Sequence, residues 1–570
     1  MAFGRHVFRV FGQSSPTPRM ALVSFLLAAL GSATVALEHG FDNAPLPDWL
    51  SSVLQFTLPW LALLAAGDVA WGLRPSVRYR RPLGWIGEGL ILVAGSALAA
   101  GVTHADSALA IAAGVAAAIR LNGVLARSMS RPGALFPLSF LALIAVSSSL
   151  LMLPAATPAD QRIRWIDAVF TSTSAVCVTG LSVRDTATGF TMFGQGVILA
   201  SIQLGGLGIM IFGSTLALLF GARLSYRENV TLSMALDEYP AHRIARFTGF
   251  IVLTTVLLEA IGAAILYVTW PQLAEGPGGR AWGAIFHSVS AFCNAGFDIT
   301  GQSLIGVRAH PAPYLGIMPM IVLGGLGFIV LEDVYRTTRD RIRGKRLHWR
   351  LTTHARLTLL TTAALLVAGF AVILLAQSMA AGSISVQRML DAAFMSTTAR
   401  TAGFTTVPME ELTSGSRLMI MMLMTVGGSP GSTAGGIKTV VFAVLVLAVI
   451  STVRGRDEVE VFGRALPDAL VKKASTVAAG LFGVVAVSTL ALDLTERIPF
   501  EPLFFEVISA ATTTGLSLGA TSELSPAGRI IITVTMFLGR VGALALLASL
   551  IGSAGRGGRY RLPRDTVSLG

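Results

Sequence analysis

Charge is scarce in this chain. Only 13% of its 570 residues are Asp, Glu, Lys or Arg, about half the share of a soluble globular protein. A chain that is 53% hydrophobic cannot cover a single soluble core of this size with polar surface, so that class is excluded. Two cysteines, Cys177 and Cys293, are too few for a disulfide framework or a zinc cluster. Both read as small packing residues. The eight histidines show no metal-ligand spacing. No Rossmann fingerprint is present, so any nucleotide sensing belongs to a separate protein. The basic N-terminus precedes an apolar run with no clear small-residue cleavage site, which reads as a first span and not a removed signal peptide.

What the chain does have is long apolar stretches, with a mean hydropathy of +0.70. A span needs about 20 apolar residues. Four candidates fall at 19–37, 50–72, 84–103 and 106–126. Eight more fall at 134–153, 192–220, 245–270, 313–332, 355–377, 416–452, 474–493 and 528–552. The net charge of +12 gathers between them: Arg74, Arg78, Arg80 and Arg81; Arg120, Arg127 and Arg131; the basic run 336–350; Arg454, Arg456, Lys472 and Lys473; and Arg556, Arg559, Arg561 and Arg564. If all twelve spans cross, every cluster lies on the side of the basic N-terminus. Segment 38–50, with Glu38, Asp42, Asp48 and no Lys or Arg, lies on the other. Twelve spans with both termini cytoplasmic follow from the positive-inside rule, and the positive charge is a matter of topology, not of nucleic-acid binding.

The chain repeats itself. "DAVFTSTSAVCVTGL" (167–181), "GAIFHSVSAFCNAGF" (283–297), "DAAFMSTTARTAGF" (391–404) and "LFFEVISAATTTGL" (503–516) each run from a Phe through Ser, Thr and Ala to a glycine. The glycines are Gly180, Gly296, Gly403 and Gly515, separated by 116, 107 and 112 residues. Phe precedes glycine by ten residues in three copies and by nine in the third. Each copy lies between two spans. A helical piece of about 10–12 residues is too short to cross, so it must enter and return. Non-helical backbone at that depth is tolerated only inside protein or around water. Four entries predict four walls around one axis. Glycine permits the backbone to leave helical geometry, carbonyls can then replace a cation's hydration shell, and the C-terminal ends of the short helices favour positive charge at the centre.

These four loops resemble the filters of the Trk/Ktr/HKT superfamily of potassium transporters, in particular its TrkH- and KtrB-type ion-translocating subunits. The resemblance covers about residues 133–552. It implies an all-α polytopic membrane protein with four fused span, pore-helix, filter-loop, span repeats around one pseudo-fourfold pore. The expected organisation is an N-terminal transmembrane region at 1–132 with about four extra helices, pore repeats at 133–222, 242–336, 352–454 and 470–553, and a cytoplasmic tail at 554–570. The family has either no extra N-terminal helices or two, so four is a departure. By the resemblance the filter residues are Val178, Thr179 and Gly180; Asn294, Ala295 and Gly296; Thr401, Ala402 and Gly403; and Thr513, Thr514 and Gly515. Potassium is the implied cargo, since all four filter positions are glycine where some sodium-transporting relatives have serine in the first loop. No organic cofactor on this chain is implied. A cytoplasmic nucleotide-binding regulatory subunit of TrkA/KtrA type, homodimer formation, lipid contact and a bacterial inner-membrane location are implied. Ion choice rests on filter geometry, so a sodium-permeable or sodium-coupled transporter is the alternative. A polytopic enzyme would need one unrepeated constellation of acid, base and nucleophile, whereas this chain repeats glycine loops.

Glycine also marks the second span of each repeat: "LGGLG" at 204–208 and at 323–327, "VGGSPGSTAGGIKT" at 426–439 and "LGRVG" at 538–542. The first two read as helix packing. The third is rich enough in Gly, Ser and Pro to break a helix. It resembles the family's intramembrane gating loop, with Gly427, Gly428, Gly431, Gly435, Gly436 and Lys438 as gate residues. Its near match to a phosphate loop fails, because Lys438 is one position too far from Gly436 and no strand precedes it. Arg540, mid-span, is costly to bury, so it carries a role. A barrier below the filter, as the family has, stands against a structural ion pair. Lys438 either serves the gate or snorkels to the membrane edge. Arg400 is expected to brace its loop from behind, with Asp391 or Glu506. Asp185, Asp298, Glu410, Glu411 and Glu523 follow the filter glycines and form either an attracting outer ring or ordinary loop charge.

Overall fold

The structure is a computed structural model and describes residues 135–219, 241–273, 276–344 and 351–542. The four N-terminal candidate spans, the tail 554–570, and with them the crossing count and the placement of the termini, lie outside the described residues.

Four successive segments follow one plan: a long helix, a short helix, a loop, and a second helix. The first has α1 (Leu135–Leu151), α2 (Trp165–Val176) and α3 (Met192–Leu219). The second has α4 (Ala241–Thr269), α5 (Gly276–Phe292), α6 (Met318–Leu326) and α7 (Phe328–Ile342). In the third, α8 (Thr353–Ala381) leads to α9 (Val386–Thr398), α10 (Ser414–Thr425) and α11 (Thr439–Val453). The fourth has α12 (Asp468–Thr495), α13 (Phe500–Ala511) and α14 (Pro526–Val541). Local chemistry sets several starts. Thr352, Ser385, Thr413 and Ser525 each accept a backbone N–H of the first turn of the helix that follows, which satisfies an otherwise orphaned donor. Gly382, left-handed at φ 66°, ends α8.

The packing is inverted relative to a soluble protein. Phe247–Thr269, Thr353–Ala381 and Asp468–Thr495 are each long and apolar enough to cross a membrane, and less than a third of each apolar stretch is buried. Leu253, Val487 and Leu494 lie open on their outer faces. The short helices are the core instead. Phe170, Phe286, Phe394 and Phe505, the residues that open the four repeated motifs, are all fully buried. The chain is therefore a helical membrane protein with its apolar outer helices turned to lipid.

Three features depart from expectation. The stretch 313–332 does not form one straight span. A six-residue π-helix, Ala312–Ile317, precedes α6, and the axis then bends by 96° into α7. Gly327 makes the break with φ 85°. A Cβ there would also meet the Pro430 carbonyl at 2.7 Å, so glycine is required for both torsion and space. The short helix α5 has 17 residues, longer than the expected length of about 10–12. Finally, the chain is not wholly helical. Val459–Val461 and Arg464–Leu466 pair as an antiparallel hairpin, Val459 opposite Leu466, among the basic residues after α11.

Candidate functional site

At the C-terminal end of each short helix the backbone repeats one torsional pattern. Val178, Asn294, Thr401 and Thr513 are left-handed, with φ of 57°, 57°, 68° and 52°. Two residues on, Gly180, Gly296, Gly403 and Gly515 are left-handed again, at 94°, 71°, 85° and 91°. A β-branched side chain at positive φ is strained and persists only where its surroundings enforce it. In the first, second and fourth loops backward hydrogen bonds do the enforcing. Val178 N donates to Ala175 O at 3.1 Å and Thr179 N to Ser174 O at 2.8 Å; Asn294, Ala295, Thr513 and Thr514 repeat this on their own helices. Among the described residues, no hydrogen bond is donated to the carbonyls of these four three-residue stretches.

The four loops meet in a closed ring. A Cβ on Gly180 would run into the Ala295 carbonyl, one on Gly296 would lie 2.8 Å from Ala402 O, one on Gly403 would lie 2.6 Å from Thr514 O, and one on Gly515 would strike Thr179 O. First touches second, second touches third, third touches fourth, and fourth returns to first. All twelve residues expected at the filter thus lie in loops brought together at one place. The hydroxyls of Thr179 and Thr513 are buried there without a partner among the described residues.

The sequence reading missed a set of hydroxyl anchors. Ser174 Oγ accepts Gly180 N at 3.1 Å and Ser509 Oγ accepts Gly515 N at 3.0 Å. Ser290 Oγ donates to Phe297 O at 2.8 Å, and Thr398 Oγ1 to Phe404 O at 2.7 Å. Three anchors stand six residues before the glycine and Thr398 stands five before it. The one-residue deficit of the third motif therefore falls between the helix and its loop. The spacing of Ser and Thr from the glycine was the available signal.

The segment 426–438 leaves helical geometry between α10 and α11 and lies directly against the ring. Gly435 N donates to Thr401 Oγ1 at 3.1 Å. Asn294's amide lies 3.5 Å from Thr433 Oγ1. A Cβ on Gly435 would strike both Thr512 O and Thr513 Oγ1. The segment is tied to the bend of the second repeat by Ser429 N to Gly325 O at 2.9 Å and Phe328 N to Gly431 O at 2.9 Å. This explains the break at Gly327: the bend makes room for the loop. Glycines in the marks of the other repeats sit at close contacts. Gly205, Gly324 and Gly539 press against Val176 O, Phe292 O and Ala511 O, at the ends of three short helices.

Arg540 is buried and has no carboxylate partner among the described residues. Its Nη1 donates to Thr433 O at 2.6 Å and its Nη2 to Gly205 O at 3.3 Å, so the fourth repeat clasps the loop. Arg400 does brace from behind, but its expected partners are wrong. It donates to Gly427 O at 2.9 Å, whereas Asp391 accepts from Tyr314 and Gln387 and Glu506 accepts from Ser517 and Thr521. Lys438 folds back onto Ala434 O at 2.6 Å, within the loop. Gly428, Gly431 and Gly436 lie in the same segment, the last two at φ 74° and 65°, and Gly427 faces the Gly435 carbonyl.

A cavity of about 280 Å³ opens beside Gly180 and Gly296. Of the five acidic residues that follow the glycines, Asp185 and Asp298 line it. Asp298 also holds its own loop, accepting Thr300 N, Gly301 N and Ser303 N.

The TrkH family, described as cation transport protein, matches residues 125–552. The potassium/sodium uptake protein NtpJ of Enterococcus hirae is 33% identical over 454 residues, 78% of this chain and 98% of that protein. The Ktr system potassium uptake protein B of Vibrio alginolyticus is 35% identical over 443 residues, 76% and 94% of the two chains. The crystal structure of the potassium transporter TrkH from Vibrio parahaemolyticus superposes with a TM-score of 0.63 at 19% identity, covering 82% of this chain and 98% of that one.

Proposed function

The chain belongs to the TrkH family of cation transport proteins, and on that footing we propose that it carries potassium across a membrane along the axis ringed by its four glycine loops. It is a transporter and not an enzyme. The observation that carries the proposal is the fourfold torsional pattern: a left-handed residue, one residue, then a left-handed glycine, in every loop. With most of their N–H groups bonded backward onto their own helices, the carbonyls of Val178–Gly180, Asn294–Gly296, Thr401–Gly403 and Thr513–Gly515 are available to replace the hydration shell of a cation. The unpartnered hydroxyls of Thr179 and Thr513 add oxygen ligands at the same place. The four short helices end there, so their partial negative charges stabilise a cation at the centre.

The loop 426–438 and Arg540 form the gate. The loop touches ring residues of three repeats, and Arg540 of the fourth holds it. A guanidinium in a low-dielectric passage also repels a passing cation. Relatives named as parts of a Ktr system support a separate regulatory subunit, here a cytoplasmic nucleotide-binding one. We extend the reading to a homodimer in the bacterial inner membrane, with the four pore repeats bounded as the sequence suggests. A relative named as a potassium/sodium uptake protein supports a second reading in which sodium also passes or couples.

The experiment is rubidium and sodium uptake into liposomes, for the wild type and for Gly180→Ser. A side chain at Gly180 meets the neighbouring loop's carbonyl at a left-handed backbone position, so the preference for rubidium should fall. An unchanged preference in folded protein refutes the filter assignment. Sodium-stimulated rubidium uptake in the wild type would favour coupling.

A further inference from the structure

The four quarters of the ring are joined a second time, at the outer ends of the short helices. Trp282 on α5 donates its indole N–H to Gln195 Oε1 on α3 at 3.0 Å. Asp391 on α9 accepts the Tyr314 hydroxyl, from the π-helix before α6, at 3.1 Å. Glu501 on α13 pairs with Arg417 on α10 at 3.3 Å. Asp167 on α2 pairs with Arg529 on α14. Each contact joins the short helix of one repeat to the opening of the second span of the repeat before it. The Asp167–Arg529 pair joins first to last.

The positions correspond. The short-helix residues stand 13, 14, 12 and 14 before Gly180, Gly296, Gly403 and Gly515. Their partners stand 15, 18, 14 and 14 after the glycines of their own repeats. The low value falls in the third motif, which is one residue short. The high value falls in the second repeat, which inserts a π-helix. The chemistry differs at each boundary: indole to amide, phenol to carboxylate, and two ion pairs. No comparison of residue types among the repeats would reveal it.

We propose that these four contacts form an outer girdle that sets the geometry of the cation filter, and that Asp167–Arg529 is its closing link. The proposal rests on the filter reading above. A short helix of 12 residues spans about 18 Å, so it acts as a lever with the girdle at one end and the glycine loop at the other. Consecutive quarters are also joined by the chain itself. First and last are not, and among the described residues no backbone–backbone hydrogen bond crosses that seam. The seam carries the better shielded of the two ion pairs, its side chains 12% and 15% exposed against 21% and 47% for Arg417 and Glu501. Shielding weakens screening by salt. Asp167 and Arg529 touch no filter atom and are positioning residues.

The test is a double-mutant cycle with Asp167→Asn, Arg529→Gln and the double variant in liposomes. The quantity measured is the sodium concentration that halves rubidium uptake, compared with the wild type. Asp167→Asn should lower it by about tenfold, within the range of coupling between residues in contact, and Arg529→Gln by less, because Asp167 keeps Arg164 at 3.0 Å. The double variant should lower it no further than the worse single, because both remove the same link. Arg417→Gln, at the more exposed pair, should have a smaller effect. Unchanged sodium competition in folded single variants, or additive losses in the double, overturns the proposal. Gly180→Ser, run in parallel, separates the two readings. If it alone shifts the competition, the girdle fails and the filter stands; if it does not shift, the filter assignment itself has failed. If the neutral variants do not fold, Asp167→Glu and Arg529→Lys keep the charges and change the reach. A shift in either sustains the proposal, and wild-type competition in both overturns it.

Discussion

Replacing Arg540 by alanine should raise cation uptake through the proposed gate. Two hydrogen bonds fix the magnitude. The one from Nη1 to Thr433 O is short, 2.6 Å, and charge-assisted, worth about 2 kcal/mol. The one from Nη2 to Gly205 O, at 3.3 Å, is long and adds little. Losing about 2 kcal/mol shifts the ratio of displaced to seated loop by about thirtyfold. The loop keeps its ties to Gly325, Thr401 and the bend at Phe328, so thirtyfold is an upper bound on the gain in initial rubidium uptake. Arg540→Lys separates clasp from field. Lysine keeps the charge but lacks the fork that reaches two carbonyls. Uptake by the lysine variant should lie between wild type and alanine, and a lysine variant identical to wild type would assign the whole effect to charge. Both are measured in liposomes without any regulatory partner, normalised to folded protein. Wild-type uptake in Arg540→Ala refutes the reasoning outright. Rubidium preference over sodium should stay constant, because Arg540 donates to Thr433 O and Gly205 O and not to a filter atom.

Four further outcomes are expected. Ser509→Ala leaves the N–H of Gly515 without its acceptor, so thermal stability in detergent should fall by about 1–2 kcal/mol together with rubidium preference; loss of stability alone would make Ser509 a purely structural residue. Phe170→Ala empties a fully buried site and should cost about 3–5 kcal/mol, read as a lower melting temperature. Gly435→Ala has no room against Thr512 O and Thr513 Oγ1, so the loop should be displaced and uptake should rise. Cysteines placed at positions 344 and 460, both in exposed segments, should react with a membrane-impermeant reagent only from the cytoplasmic side. Reaction of either in intact cells would reverse the orientation.

The sequence made the four motifs legible because the physics is local and repeated. A glycine that must be left-handed and a Phe that must be buried leave the same mark in each copy. Span limits were equally plain where apolar length decided them: 474–493 lies inside Asp468–Thr495, and 355–377 inside Thr353–Ala381. The bend at Gly327 was not legible, because "LGGLG" at 323–327 reads the same as 204–208, where α3 runs straight through. Only the loop of the third repeat, arriving from about a hundred residues away in sequence, separates the two cases. Arg400 failed for a related reason. A buried arginine suggests a carboxylate, but here it takes a backbone carbonyl exposed by the broken helix, which has no sequence mark. The hydroxyl anchors were present as Ser and Thr at fixed distance from glycine, hidden among other small residues of the same kind.

The third motif's missing residue has a consequence for how such a ring can change. In a ring of four identical chains, every substitution arrives four times, and a deletion between helix and loop would alter all walls at once. Here the four walls are written separately. Thr398 can move one step closer to its glycine while Ser174, Ser290 and Ser509 keep their distance, and the broken helix can occupy one quarter while α3 stays whole. Single substitutions therefore sample the passage a quarter at a time. A lesion that would abolish a symmetric assembly need only bias this one, which makes graded, wall-by-wall variants an accessible route to tuning its ion preference.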